Sequence, residues 1–246
     1  MRFPARLLDA LSSVLSPLGR QCHRSELRIL MFHGLTDLKH EGLENCQHKH
    51  LHVTRFEEIM GHLSRNYCVI SMDEAILHLE KKRKLPDFPV VITFDDGFAS
   101  NYHLAFPVLR RYRLPAIIYL ATEFVDQKIP IWVDRVDYAM NRAGKTKLEL
   151  VSIKNHLKSL PHDLTLEQVQ QLEKITGHGF GNTTDPGIPK IYLPLDWAQV
   201  REMAASGLIS FGSHTHSHML LGKAETDRII KELTISRSII EANTGL

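Results

Sequence analysis

The feature that most constrains this chain is a strand-like run that ends in two adjacent carboxylates. Residues 90–94 (Val-Val-Ile-Thr-Phe) are followed directly by Asp95, Asp96 and Gly97. Such a run predicts a buried strand that delivers both acids to a turn, which is where α/β folds keep their chemistry. Because adjacent strand residues point to opposite faces, the acids share a site only if the turn at Gly97 redirects one of them.

Two carboxylates that lie close together raise each other's pKa unless a cation is beside them, so a metal is the simplest way to keep both ionised. The alternative interpretation is an Asp-Gly hairpin turn. No strand-like run follows within hairpin distance, which favours the site over the hairpin.

A second feature, far downstream, is a set of three histidines at alternate positions. His214, His216 and His218 follow the apolar run at residues 209–211. Imidazole suits zinc and its divalent neighbours. We expect His214 and His218 to be the pair of ligands, because residues four apart face the same way on one helical turn; if the segment stays extended, His214 and His216 would pair instead. A solvated histidine-rich loop is the alternative without a function.

These residues resemble the motifs of a known family. Residues 93–97 (Thr-Phe-Asp-Asp-Gly) and 213–218 (Ser-His-Thr-His-Ser-His) are similar to two motifs of the polysaccharide deacetylase, or NodB-homology, domain of carbohydrate esterase family 4. Residues 30–34 (Leu-Met-Phe-His-Gly) resemble the opening strand of the branch that acts on exopolysaccharides and lipid-linked sugars. The resemblance covers residues 28–121 and 195–246.

The resemblance implies a distorted (β/α) barrel with a metal centre and a hydrolytic reaction. By the family pattern, Asp95 is the general base, and Asp96, His214 and His218 are the metal ligands. Zinc is the default metal, with iron, cobalt or nickel as alternatives. The implied reaction removes an N-acyl group, N-acetyl in the first instance, from a sugar of a polysaccharide or lipid-linked glycan. An N-acetylated carbohydrate is therefore the expected substrate.

Family members continue beyond the position of Gly245 with another strand, an arginine that orients the base and a histidine that donates a proton. This sequence has no match to those features, so we expect an incomplete barrel and weakened activity. His33, at the end of a predicted strand, or His216 is an additional site residue that could supply the proton. The alternative function is a catalytically impaired homologue that acts as a metal-dependent carbohydrate-binding module. An oxygenase iron site is disfavoured because its carboxylate usually lies close in sequence to a histidine, unlike Asp96.

Composition and patterning predict one α/β domain with an insertion. With 246 residues, of which 43% are hydrophobic, the chain can bury one sizeable core. Strand and helix patterns alternate from residue 28, and a mainly helical insertion interrupts them at residues 122–195. We therefore expect an N-terminal amphipathic segment, residues 1–27, and a deacetylase-like domain, residues 28–246.

Local signals predict several helix starts and one loop. Thr54, Ser71 and Thr165 each precede a Glu or Gln by three residues, the pattern of a capping box. His48, His50 and His52 lie among Lys49, Gln47 and Glu44, which favours a solvated loop over a face of metal ligands.

Charge and cysteine content limit the partners and the compartment. A net charge of +2 is too small to indicate nucleic-acid binding, and three cysteines without CxxC spacing indicate no disulfide framework. Residues 1–20 are basic with leucines at helical spacing, which predicts a helix that docks on its own domain or contacts a membrane peripherally. The sequence has no run of 18 apolar residues. We expect a cytoplasmic protein, with peripheral contact at the inner membrane as an alternative.

Overall fold

The computed structural model describes residues 24–185 and 187–245, which alternate between strands and helices, so the prediction for residues 1–20 lies outside the described residues. The strands are β1 (Arg28–Phe32), β2 (Gly34–Thr36), β3 (His50–His52), β4 (Cys68–Val69), β5 (Pro89–Phe94), β6 (Ala116–Leu120) and β7 (Ile209–Ser213). The α-helices are α1 (Val53–Asn66), α2 (Met72–Glu80), α3 (Phe106–Tyr112), α4 (Thr122–Gln127), α5 (Trp132–Arg142), α6 (Lys147–Lys158), α7 (His162–Thr176), α8 (Trp197–Ala205) and α9 (Thr226–Thr244). Within the described residues, none of these helices has the length and apolar character needed to cross a membrane.

The centre of the fold is a parallel sheet in the order β1–β5–β6–β7, and the short β4 pairs with the start of β5. Helical crossovers join the strands, as parallel pairing requires. The pairing register aligns Phe32 with Phe94 and Leu120 with Ser213, so the carboxyl ends of β1, β5, β6 and β7 meet at one edge. We call this the carboxyl edge. The arrangement confirms the predicted incomplete (β/α) barrel.

The main core lies between the sheet and the helices that cover it. All six residues of β5 are buried, as its β-branched composition predicts. Phe94 at the end of β5 contacts Phe32 of β1 and Phe56 of α1, with ring centroids 5.5 and 5.7 Å apart. Full burial of each such ring contributes about 1.5–3 kcal/mol to stability. This packing fixes the strand end from which Asp95 and Asp96 extend.

The segment from residue 122 to 195 contains helices α4 to α7, in agreement with the expected helical content. Helices α5, α6 and α7 share an apolar core of their own, centred on Val136, Leu150 and Val169. The capping box predicted at Thr165 is wrong, because α7 begins earlier, at His162. The Thr165 hydroxyl instead donates to the carbonyl oxygen of Leu157 at 3.1 Å. The packing of α7 against α6 therefore outweighs the capping-box pattern at Thr165.

The loop that precedes β3 also differs from the prediction. His50 is 4% exposed, lies in β3 and meets the Phe98 ring edge-on at a centroid distance of 4.7 Å. The solvated loop predicted around it is therefore wrong for His50. Residues 43–49, which we call the docking loop, bind the helical segment: the Leu43 amide donates to Asn141 Oδ1 at 2.7 Å, and Lys147 Nζ donates to the Cys46 carbonyl at 2.9 Å.

The two capping boxes predicted in the first half of the chain have different outcomes. At Ser71 the box forms, because the serine hydroxyl and the Glu74 carboxylate each accept the other's backbone N–H. At Thr54 it does not, because α1 already begins at Val53. The His52 side chain accepts the Thr54 amide at 3.3 Å and takes the capping role instead.

Candidate metal centre

The turn after β5 places the second carboxylate of the pair. Asp96 has a φ of 75° and Gly97 a φ of 88°, so both residues adopt the left-handed conformation. A Cβ atom at Gly97 would lie 2.8 Å from Leu120 Cδ2, which explains the need for glycine. The Asp96 carbonyl accepts from the Ala121 amide at 3.2 Å, which ties the turn to the end of β6. The turn redirects one acid relative to the other, as expected. The left-handed conformation is not confined to Gly97, because Asp96 adopts it as well.

The first and last of the three histidines meet Asp96. Asp96 Oδ1 lies 3.5 Å from His214 Nε2 and 3.2 Å from His218 Nε2. One donor atom from each of the three residues lies within 4.8 Å of the other two. The expected helical turn is wrong: β7 ends at Ser213, and the chain bends with φ values of 66° at Thr215 and 55° at His218.

The histidine loop, residues 214–218, is held by its neighbours. The buried Glu232 carboxylate of α9 accepts the amides of His216 and Ser217 at 2.9 and 2.8 Å, and the Ser217 hydroxyl at 3.0 Å. The His216 ring lies against Thr122, with Nδ1 2.9 Å from its hydroxyl oxygen. His216 is therefore outside the group formed by Asp96, His214 and His218.

The two adjacent acids have opposite electrostatic character. Burial disfavours the ionised form of Asp96, which is 1% exposed, but the charges of Lys49 and His218 hold its pKa well below the ordinary value. Burial raises the pKa of Asp95, and the charges of His214 and His33 only partly offset this. The Asp96 carboxylate thus stays ionised, and the Asp95 carboxylate has a stronger tendency to take up a proton.

His33 follows β1 at the carboxyl edge. Burial lowers the pKa of His33. The charges of Asp96 and Asp95 oppose this effect and the charge of Lys49 adds to it, so both acids lie within electrostatic range of the ring. Its carbonyl oxygen accepts a hydrogen bond from Asn101 Nδ2 at 2.7 Å. The structure therefore brings His33 within electrostatic range of the acid pair, whereas the His216 ring lies against Thr122.

Sequence reasoning missed two charged residues beside the site. Lys49 Nζ lies 3.1 Å from Asp96 Oδ2 and 2.9 Å from Asp134 Oδ1. Asp134, in α5, is 1% exposed. The two residues are 85 positions apart, so no local pattern in the sequence indicates the pair.

The chemistry of the group fits a divalent cation. Asp96 Oδ1 is buried and accepts no hydrogen bond from the described residues, although two imidazole nitrogens face it. A carboxylate oxygen and two imidazoles are ligands that zinc and neighbouring transition metals accept. Three protein ligands also leave room for water and substrate, as a catalytic site requires. The roles of Asp95, Asp96, His214 and His218 stay predictions that this geometry supports.

Comparisons with known proteins found a matching family model and a related bacterial protein. Residues 82–246 match the family model described as polysaccharide deacetylase. A protein from Bacillus subtilis named putative polysaccharide deacetylase YxkH is 33% identical over 105 residues, which are 42% of this chain and 35% of that protein. The matched region thus spans about a third of the relative's length.

Solved structures with similar folds include two bacterial deacetylases. Streptococcus pyogenes deacetylase PplD superposes with a TM-score of 0.56 at 15% identity, covering 90% of this chain and 70% of that one. A de-N-acetylase from Aggregatibacter actinomycetemcomitans superposes with a TM-score of 0.56 at 19% identity, covering 89% and 76%. At these identities the likeness shows the fold.

Proposed function

Because the chain belongs to the polysaccharide deacetylase family, we propose that it is a metal-dependent hydrolase that removes an N-acetyl group from a sugar of a polysaccharide or lipid-linked glycan. The observation that carries the proposal is the meeting of Asp96, His214 and His218 at the carboxyl edge, beside Asp95. The names of the Bacillus subtilis and Aggregatibacter relatives support the same type of reaction.

Asp96, His214 and His218 would hold the cation, with zinc as the first choice and iron, cobalt or nickel as alternatives. A divalent cation there supplies Lewis acidity, which polarises an amide carbonyl and acidifies water. Of the two histidine side chains, His214 is the more exposed, at 36% against 18% for His218. The sugar amide would therefore approach from the side of His214.

Asp95 would take the proton from the attacking water, a role that its raised pKa favours. The hydroxyl adds to the amide carbon, the carbon–nitrogen bond breaks, and the nitrogen leaves with a proton. His33 would donate that proton from its imidazolium form; burial lowers the pKa of His33, which makes this form a stronger acid than an ordinary imidazolium and also less populated at neutral pH. The products are acetate and the free amine of the sugar.

The central test is a comparison of Asp95→Asn with Asp96→Asn in zinc-loaded protein. We expect Asp95→Asn to keep its zinc and to lose about 10²–10⁴-fold in amine release from a chitooligosaccharide, because it removes only the proton acceptor. Asp96→Asn should lose bound zinc as well. Metal analysis and a fluorescent assay of free amines give the two readouts, and the exposed Asp87→Asn is the control.

Two outcomes would contradict the proposal. If Asp95→Asn and Asp96→Asn lose zinc equally, the assigned roles are wrong. The wild-type protein could also bind zinc but release no amine from chitooligosaccharide and no acetate from an activated acetate ester. A metal-dependent carbohydrate-binding module would then be the better interpretation.

The proton donor has a separate test. We expect His33→Ala to slow amine release about 10²-fold or more with zinc retained, and His216→Ala to have a small effect, because its ring lies against Thr122. An activated ester has a leaving group that needs no proton, so His33→Ala should slow the ester much less. Equal losses on both substrates would exclude His33 as the donor.

A further inference from the structure

Lys49 is a largely buried cation whose charge two carboxylates share. Its side chain is 19% exposed, and Nζ lies 3.1 Å from Asp96 Oδ2 and 2.9 Å from Asp134 Oδ1. The ammonium also lies 4.5 Å from the centroid of the Phe98 ring, which covers it on another side. A charged lysine buried at this depth is retained only where its partners offset the cost of desolvation.

The two oxygens of Asp96 have different neighbours. Oδ2 faces Lys49, whereas Oδ1 faces His214 and His218 and accepts no hydrogen bond from the described residues. A carboxylate with both oxygens free could rotate or bind a cation through either one. With Oδ2 held, the carboxylate presents Oδ1 to the histidines.

We propose that Lys49, held in turn by Asp134 of α5, is a positioning residue that orients Asp96 for metal binding. The inference rests on the proposed metal centre and deepens it. Groups that hydrogen-bond to metal ligands orient those ligands, and their loss typically costs 10–100-fold in metal affinity. Lys49 acts through Asp96 and is not itself a ligand, because an ammonium has no lone pair to donate.

The same contact links the helical segment to the site. Lys49 ends the docking loop, and Asp134 lies in the first turn of α5. One ammonium group therefore connects Asp96, at the end of β5, with α5, whose apolar core is separate from that of the sheet. The helical segment thus contributes to the metal centre through Asp134, although it supplies no ligand among the described residues.

The test compares Lys49→Met with a matched variant, Lys154→Met. Lys154 is a more deeply buried lysine, 5% exposed, which pairs with another aspartate of α5, Asp137, at 2.5 Å and donates to Gln47 Oε1 of the docking loop at 2.8 Å, but does not pair with Asp96. We expect Lys49→Met to weaken zinc binding about 10–100-fold in a chelator competition assay, and Lys154→Met to leave it within about twofold. The visible absorption of the cobalt-loaded protein, which reports ligand arrangement, should change only for Lys49→Met.

The double variant Lys49→Met/Asp134→Asn guards against misfolding and against a pure charge effect. It removes one positive and one negative charge and leaves no unpaired buried carboxylate at position 134, so it should fold and still show the weakened zinc affinity. If both Lys49 variants match Lys154→Met in zinc affinity and in cobalt spectrum, the positioning role is refuted.

Asp96→Asn in the same assay separates the two proposals: if it keeps wild-type zinc affinity, the proposed metal centre is wrong and the positioning role is wrong with it. If Asp96→Asn loses zinc and Lys49→Met does not, only the positioning role fails.

Discussion

At the scale of single residues, Asp96 combines burial, ionisation and an unusual backbone. It is 1% exposed, its pKa is held well below the ordinary value against the effect of burial, and its φ is 75°. A non-glycine residue in the left-handed region costs about 1–3 kcal/mol. The surrounding structure therefore sacrifices stability at the position where a carboxylate must leave the strand direction and face His214 and His218.

Gly97 allows the turn at Asp96 to form, because glycine adopts a positive φ without strain, and its replacement should lower the stability of the protein. We expect Gly97→Ala to destabilise the protein by about 2–5 kcal/mol, because a side chain is strained at a φ of 88° and its Cβ would lie 2.8 Å from Leu120 Cδ2. Urea unfolding monitored by circular dichroism measures the change.

Gly144→Ala is the matched control, since Gly144 has a φ of 65° and open space around it. It should cost about 1–2 kcal/mol, the backbone strain alone. Equal costs for the two variants would show that the contact with Leu120 contributes nothing.

The residues of the site differ in how far the sequence alone could predict them. Asp95, Asp96, His214 and His218 were predicted because they lie in short contiguous motifs at strand ends. Lys49 and Asp134 were not, because their pairing depends on how the docking loop lies on α5. The bends at Thr215 and His218 were also missed, since a positive φ is uncommon for any residue other than glycine and is rare for a β-branched residue such as Thr215.

At the scale of elements, the histidine loop depends on two helices that carry none of the expected ligands. At the start of α4, the amides of Thr122 and Glu123 donate to the carbonyls of Thr215 and His216. From α9, the Glu232 carboxylate accepts the amides on the other side of the same loop. Two carbonyls and two amides of this short loop thereby have partners without regular secondary structure.

Glu232 should therefore matter for both stability and metal binding. We expect Glu232→Ala to destabilise the protein by about 3 kcal/mol, because it leaves two amides and the Ser217 hydroxyl without their charged acceptor. Zinc affinity should fall as well, because the loop carries His214 and His218. Chemical unfolding and zinc titration measure the two effects.

Glu241→Ala is the comparison within the same helix. Glu241 pairs with Arg237 at 2.6 Å on the exposed surface, and such pairs contribute about 0–1 kcal/mol. A cost for Glu232→Ala no larger than that of Glu241→Ala would contradict the anchoring role.

Helix α6 offers a test by pH. The Glu149 carboxylate accepts the backbone amide and the hydroxyl of Thr146, both at 2.8 Å, and these bonds lower its pKa from the ordinary 4.5. A carboxylate with a lowered folded-state pKa contributes stability above its unfolded pKa, and that contribution is lost as the pH falls through the folded value. We expect wild type to be more stable than Glu149→Gln at pH 7, with the difference shrinking below about pH 4.5. A difference that is constant down to pH 3 in urea unfolding would contradict this.

Elements were predicted well where burial and local pattern agree. Strand β5 lies where the run at residues 90–94 predicts it, and the segment at residues 122–195 is mainly helical as expected, because apolar periodicity and tertiary burial select the same residues. The predicted starts of α1 and α7 were wrong. The capping-box patterns at Thr54 and Thr165 lie inside helices that begin earlier, at Val53 and His162. The box at Thr146 follows the same rule as Ser71 and was overlooked.

At the scale of the whole molecule, the site joins strands that are far apart in sequence. A cation held by Asp96, His214 and His218 would bind the folded chain and stabilise it by mass action, by about 2.7 kcal/mol at 100 times its dissociation constant. We expect zinc to raise the thermal unfolding midpoint and EDTA to reverse the shift. Asp96→Asn should abolish the shift, and Asp87→Asn should retain it; a shift in both would place the zinc elsewhere.

The shared carboxyl edge also determines the order in which the protein can assemble. Asp96 and His214 come together only when β5, β6 and β7 have paired, because the register between β6 and β7 sets where the histidine loop begins. Pairing of distant parallel strands is a slow, late event, since the entropy of closing the intervening chain must first be overcome. The complete ligand set therefore exists only at the end of folding and cannot nucleate it, unlike the ligands of a zinc finger. The chain must reach its native topology through its apolar cores, and a cation held by the proposed ligands would bind only the completed fold.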